Sequence, residues 1–280
     1  MKIITDIPEM QSLSDAFRKE GKTIGFVPTM GFLHEGHVSL MRAARASCDV
    51  VVVSIFVNPT QFGPQEDFDR YPRDEAGDRR TCNAAGVDIL FMPTTDRMYP
   101  EKPTVFVMVE GISDVLEGAV RPGHFRGVAT VVSKLLHIVK PHKAFFGQKD
   151  YQQCAVIRRM VKDLNLDAAI ETIPTMREQD GLAMSSRNSY LNPDERRAAA
   201  TIYRALSAAE QLARTGTREP ETLKNRVRAV LQEEPGITID YIEIADHETL
   251  APLPSAKNTM VLLVAVRLGR TRLIDNLLLL

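Results

Sequence analysis

Two histidines three residues apart, His34 and His37, lie in the segment PTMGFLHEGH at 28–37. The segment follows an apolar run and opens a helical pattern, the place where α/β sheets gather ligands. Residues three apart share one side of a helical turn, and imidazole N–H groups beside a helix N-terminus suit phosphate oxygens. Metal ligation is a second reading, which no third convergent His or Cys reinforces. An ordinary exposed turn is the third. Gly31 and Gly36 would let a ligand approach the backbone closely.

Two further segments carry chemistry-bearing side chains. GQKD at 147–150 again lies between a strand pattern and a helix pattern. Lys149 can neutralise a phosphate, Asp150 can accept from ribose hydroxyls, and Gln153 stands one helical turn beyond Asp150. Capping of the turn is the plainer explanation. MREQDGLAMSSRNSYL at 176–191 has no clear periodicity and groups Met184, Ser185, Ser186 and Arg187. A loop of hydroxyl donors and a guanidinium can close over a triphosphate and oppose transition-state charge, or be a polar interdomain linker. The P-loop pattern GxxxxGK[ST] and the dinucleotide pattern GxGxxG are both absent from the sequence.

These segments need elements to position them. Ile24–Val27, Val50–Val57, Val87–Phe91, Val105–Val109, Lys143–Phe146 and Ala168–Ile173 read as strands. Helical patterns fall near 36–47, 74–85, 127–139 and 152–163, and this alternation indicates βαβ units and a parallel sheet. The polar, aromatic and Pro-rich stretch at 58–73 exceeds the usual connection of about 4–6 residues and reads as a lid. After residue 190 the pattern changes. Asn192-Pro193-Asp194-Glu195 is a helix start for one Ala-rich helix reaching about Ala213, and a second helix runs to Glu233. Three strand-like runs follow, 237–245, 260–266 and 271–276, the last two at hairpin spacing about Gly269. We expect residues 1–176 to form an α/β domain and 177–280 a small α+β domain.

Composition narrows the function classes. Lys plus Arg number 35 against 36 Asp plus Glu, a net charge of -1 that argues against a nucleic-acid coat or polybasic membrane surface. Cys48, Cys82 and Cys154 form no CxxC pair, so neither a disulfide framework nor a structural zinc site is indicated. The longest apolar runs, at 50–57 and 260–266, fall far short of the roughly 20 residues that span a bilayer. The opening MKIITDIPEM lacks a secretory pattern, and a cytoplasmic location is expected.

An HxGH element after a strand, with a late loop of small hydroxyls and a basic residue, resembles the HIGH and KMSKS signatures of nucleotidylyl transferases and class I aminoacyl-tRNA synthetases. The match is closer to one family. PTMGxLHxGH, FVNPxQF, YPRxxxxD, RPGHFRGVxTVVxKL, FFGxKDxQQ and DGLAMSSRN occur in that order between residues 28 and 189. Together they resemble the pantoate–β-alanine ligases. The resemblance implies a Rossmann-like parallel sheet of the HxGH type, with a smaller C-terminal domain closing over the active site. It implies an AMP-forming condensation of (R)-pantoate with β-alanine through a pantoyl adenylate, ATP with Mg²⁺, and a homodimer.

By matching motif, the resemblance assigns catalysis to His34, His37, Lys149 and Arg187. ATP binding adds Met30, Gly147, Asp150, Met176, Met184, Ser185 and Ser186. Pantoate binding falls to Pro28, Met30, Gln61, Phe62, Val131, Val132 and Gln153, although the two valines also read as plain core. No metal ligand is assigned, and Asp74, Glu75 and Asp78 read as a solvated helix start. Two departures stand out: MSSRN places Arg187 where the synthetases carry lysine, and Gln148 stands where other members can carry Glu. A nucleotidylyl transferase would leave the nucleotidyl group on its product, which product analysis distinguishes.

Overall fold

A strand that is apolar at every position must be covered on both faces, and Val50–Val53 is such a run. In the computed structural model, which describes residues 1–64 and 66–280, all four valines are buried. Two units are distinguished, Met1–Gly147 with Gln152–Pro174, and Gln148–Tyr151 with Thr175–Leu280. They part at 174/175, and four residues of the GQKDY segment group with the later unit.

In the first unit the described strands are β1 (Lys2–Ile4), β2 (Ile24–Thr29), β3 (Val50–Ile55), β4 (Ile89–Phe91), β5 (Lys143–Gly147) and β6 (Ala169–Ile173). All pair in parallel, in the order β1-β4-β3-β2-β5-β6. The order reverses between β2 and β5, the switch point outside whose carboxyl ends open α/β sheets bind ligands. The helices are α1 (Ile7–Lys19), α2 (Glu35–Ser47), α3 (Glu75–Ala84), α4 (Thr95–Met98), α5 (Glu117–Val120), α6 (His124–Val139) and α7 (Tyr151–Asp163). Helix α6 buries Phe125, Val128, Val132, Leu135, Leu136 and Val139 in the main core, each worth about 1.5–3 kcal/mol.

Two expectations are corrected here. Val105–Val109 is not a strand: Val105 is 78% exposed and Met108 63% exposed, and the Val107 N–H donates to Thr130 Oγ1 rather than to a ladder. Pro28 and Thr29 belong to β2, paired with Ser54 and Ile55, so the turn begins only at Met30.

The second unit has helices α8 (Pro193–Ala199), α9 (Thr201–Arg214) and α10 (Pro220–Gln232), and the antiparallel strands β7 (Ile237–Asp246), β8 (Met260–Leu268) and β9 (Thr271–Leu279). Their core joins Ile202, Leu206, Leu223, Val227 and Leu231 with Ile244, Leu262, Val264 and Val266. The Asn192 capping box forms as read. The single expected helix is two, because the Ala200 N–H turns back to Arg197 and Ala198 in a tightened turn. The closing leucines lie largely in β9, where Leu279 is 1% exposed.

Candidate functional site

The turn leaving β2 is strained and then pinned. Gly31 has φ 84° and Phe32 has φ 52°, a left-handed conformation that costs a non-glycine residue of order 1–3 kcal/mol. Asp78 on α3, 3% exposed, accepts the Phe32 N–H at 2.9 Å and the Leu33 N–H at 2.7 Å. A β-carbon at position 31 would lie 2.9 Å from Asp78 Oδ2 and 3.0 Å from Ile55, so glycine serves both φ and space. Burial pushes the Asp78 carboxyl up, as do Asp74 and Glu75, while the two N–H bonds oppose them. Asp78 is therefore not part of a solvated helix start. In the sequence it stood only as the last residue of YPRxxxxD; in the structure it shares a helix face with the buried Cys82, four residues on.

Helix α2 begins at the histidines. His34 is its N-cap, its Nδ1 accepting the Gly36 N–H at 3.2 Å, and His37 Nδ1 accepts the His34 N–H at 3.3 Å. Each Nδ1 is thus an acceptor, so each neutral ring carries its proton on Nε2. The rings lie 4.1 Å apart. The rings are tilted 45° to each other, and both stand beside the positive end of a helix dipole, a place suited to anionic oxygen.

A second cluster surrounds Gln61. The 3₁₀ turn Pro59–Gln61 is capped by Asn58, which is 1% exposed and accepts from Thr60 and from the Tyr99 hydroxyl. Asn58 Nδ2 donates to Gln61 Oε1 at 3.1 Å and to the Gly127 carbonyl at 3.2 Å. With its oxygen engaged, Gln61 must offer its NH₂ as donor, and Nε2 lies 3.2 Å from Met30 Sδ. A β-carbon on Gly127 would meet the Thr60 carbonyl oxygen at 2.4 Å, so α6 seats directly on this turn. Asn58 was legible only as part of the NPTQF motif; its capping chemistry was the available signal.

The stretch expected as a lid is anchored by packing. Phe62 stacks edge-on against Phe68 and Tyr71, and Glu66 takes Arg121 through two bonds of 2.8 and 2.5 Å. Gln65 lies outside the described residues. His124 touches Arg121 and the Gln61 carbonyl, at 3.0 and 2.9 Å. Burial first, then Arg121, lowers His124 to about 4.

Met30, His34 and His37 thus lie on the turn from β2 into α2, and Gln61 on the 3₁₀ turn after β3. Pro28 is half-buried in β2, while Val131 and Val132 are each 5% exposed and packed into the main core. Gly147 ends β5, and its carbonyl accepts from Cys154 Sγ on α7. Gln153 is half-buried on α7. Its neighbour Gln152 is structural, bonding the Ile112 and Val115 carbonyls and the Glu117 N–H.

The remaining expected residues belong to the second unit. Lys149 and Asp150 form a 3₁₀ turn with Gln148, and their charged groups approach to 3.3 Å. Met176 and Met184 close a hairpin, the Met184 N–H donating to the Met176 carbonyl at 2.9 Å. Ser185 caps the 3₁₀ turn Ser186–Tyr190 by accepting the Arg187 N–H at 3.3 Å. Ser186 is 8% exposed. The hairpin is braced by Arg177, which pairs with Asp275 at 2.6 and 3.0 Å and lies over the Tyr203 ring at 4.0 Å.

Among the described residues no group of three or more His, Cys, Asp or Glu could hold a metal. Asp74 caps α3, Glu75 pairs with Arg79, and Asp78 is taken up by the turn.

Comparison with known proteins gives one consistent result. A family model described as pantoate-beta-alanine ligase matches residues 2–278. The pantothenate synthetase of Geobacter sulfurreducens is 54% identical over 99% of this chain and 98% of its own length. That of Thermotoga petrophila is 53% identical over 99% of each chain. The crystal structure of pantothenate synthetase from Thermus thermophilus matches with a TM-score of 0.94 at 45% identity, covering 99% of both chains. A Francisella tularensis pantoate-beta-alanine ligase complexed with beta-gamma ATP and beta-alanine matches with a TM-score of 0.83 at 37% identity, covering 99% of this chain and 97% of that one.

Proposed function

The chain belongs to the pantoate–β-alanine ligase family, and from that premise we propose how its residues carry out the ATP-dependent condensation of pantoate with β-alanine. A carboxylate and an amine do not condense at useful rates near neutral pH. Pantoate's carboxylate oxygen therefore attacks the α-phosphorus of ATP, and the bond to pyrophosphate breaks. The β-alanine amine then attacks the acyl carbon, loses a proton, and expels AMP. No protein nucleophile is needed; orientation and exclusion of water are.

The observation that carries this reading is the pair of Nδ1-locked imidazoles at the start of α2. Their Nε2–H groups are donors to phosphate oxygens as negative charge grows in adenylylation. Lys149 and Arg187 oppose the same charge, Asp150 accepts from the ribose hydroxyls, and Ser185 and Ser186 donate to phosphates. Gly147, Met176 and Met184 complete the nucleotide contacts. Gln61, its NH₂ fixed as donor by Asn58, reads acceptor oxygens of pantoate together with Gln153. Pro28, Met30, Phe62, Val131 and Val132 face the dimethyl carbon skeleton. Mg²⁺ enters as part of the substrate, on the phosphates of ATP. We propose further that the enzyme acts as a cytoplasmic homodimer, the dimer being what the family resemblance implies. Among the described helices none is long and apolar enough to cross a membrane.

Pantoate-dependent exchange of labelled pyrophosphate into ATP, with β-alanine omitted, tests the adenylate. His37→Ala should slow this exchange by about 10²–10³-fold, the usual cost of one preorganised donor. Exchange at the wild-type rate would remove His37 from the chemistry. Failure of the parent enzyme both to exchange and to form pantothenate would end the ligase mechanism.

A further inference from the structure

Asn276 on β9 is 1% exposed and belongs to none of the motifs assigned above. Its Nδ2 donates to the Gln148 carbonyl and to the Lys149 carbonyl, both at 2.9 Å, and its Oδ1 accepts from Gln148 Nε2 at 3.3 Å. Both amide protons and the amide oxygen are therefore committed to one turn. Two consecutive peptide planes are held by one planar side chain, which fixes where the Cα–Cβ bonds of Lys149 and Asp150 leave the backbone.

The preceding residue acts on the other segment. Successive side chains leave a strand on opposite faces, and Asp275, 4% exposed, takes Arg177 in the bidentate pair that braces the Met176–Met184 hairpin. The Asn276 N–H also donates to Asp275 Oδ1, at 2.8 Å. One dipeptide of β9 thus holds both the Gln148–Asp150 turn and the base of the serine–arginine loop.

We propose that Asn276, with Asp275 beside it, is a positioning residue for nucleotide recognition, setting the Lys149–Asp150 turn to receive the phosphate and ribose of ATP. This rests on the ligase reading above. It assigns the C-terminal sheet a part in substrate selection, exerted through the turn and not by contact with the reacting atoms.

The isosteric Asn276→Asp replacement tests it, because it keeps the shape and sets a carboxylate against two carbonyl oxygens. Steady-state constants for ATP and pantoate, and the preference for ATP over 3′-deoxy-ATP, are measured on the full-length enzyme with circular dichroism as the folding control. The expected result is a KM for ATP raised tenfold or more, a KM for pantoate within twofold of the parent, and a ribose preference reduced at least threefold. Should the aspartate variant not fold, Asn276→Ala removes the donors without adding charge and should raise the ATP constant about fivefold, with the same loss of ribose preference. A folded variant with unchanged ribose preference, or with both KM values raised equally, overturns the proposal. A parent enzyme without pantoate-dependent exchange overturns the ligase reading and this proposal with it. An active parent with unaffected variants overturns the positioning role alone.

Discussion

The turn Gly31–His37 and the hairpin Met176–Met184 are both held in place by side chains, but from different distances along the chain. In the first, His34 and His37 accept backbone N–H groups within three residues of themselves, and Asp78 supplies two more bonds from 45 and 46 positions away. In the second, Arg177 depends on Asp275, 98 positions on. The neighbouring Gln148–Asp150 turn depends on Asn276, 127 and 128 positions on. A motif that caps itself carries much of its geometry in a few residues. One gripped from a late strand acquires its geometry only after the sheet has formed, with the loop-closure entropy of those separations already met.

The largest expected effect breaks the first region. Asp78→Ala removes the acceptor of two N–H groups, each costing about 1–3 kcal/mol when left unpaired. Urea unfolding should show a loss of about 4 kcal/mol, the sum of two such groups, and pyrophosphate exchange should fall as the turn relaxes. A loss below about 1 kcal/mol, less than one unpaired group, would mean that the histidine caps hold the turn unaided.

Acidification sharpens the contrast within the first unit. His124, ordinarily titrating near 6.5, is lowered to about 4 by burial and Arg121. A depressed pKa means that the folded state keeps the ring neutral. This contributes stability above pH 6.5, lost as the pH falls through about 4. The loss is about 3 kcal/mol over that window. Melting curves of the parent and of His124→Asn should diverge in slope between these values, the variant being flatter. Parallel slopes would show that His124 does not govern the acid limb.

The smallest effect concerns a cap in the second unit whose own hydrogen bonds stay within the first turn of α8. Asn192→Ala removes the cap of α8 and should cost about 1 kcal/mol, with the KM for ATP unchanged. A shifted KM would mean that the Met176–Met184 hairpin, to which Arg196 of α8 is paired through Glu178 and Asp180, answers to α8 as well as to β9, which would weaken the special place given to β9.

Much of the fold was legible because its signals are local. The all-apolar Val50–Val53 run announced a strand buried on both faces, and Asn192-Pro193-Asp194-Glu195 announced a helix start. Val105–Val109 misled because its β-branched and apolar composition is shared by a coil that buries Val109 and leaves Val105 and Met108 exposed; composition does not say whether a partner strand is available. The break at Ala200 was invisible in an alanine-rich sequence that favours helix on both sides. Among the chemistry-bearing residues, His34, His37, Gln61, Lys149 and Arg187 could be picked out by residue type and motif. Asp78 was marked only as the last residue of YPRxxxxD, with no sign of its partners, and Asn276 was not marked at all, since an asparagine in a strand gives no sign of what it will bond.

The sequence by itself determined the parallel α/β class, the C-terminal hairpin about Gly269 and the Asn192 cap. All of these follow from periodicity and from interactions within a few positions. Tertiary structure decided which polar side chains would be buried against which backbone groups: Asp78 under the strained turn, Asn58 against Gln61, Asp275 on Arg177, Asn276 beneath Lys149. The physical reason is that a buried polar group must find a hydrogen-bond partner, and that partner is chosen by the packing of distant elements, about which neighbours in the chain carry no information.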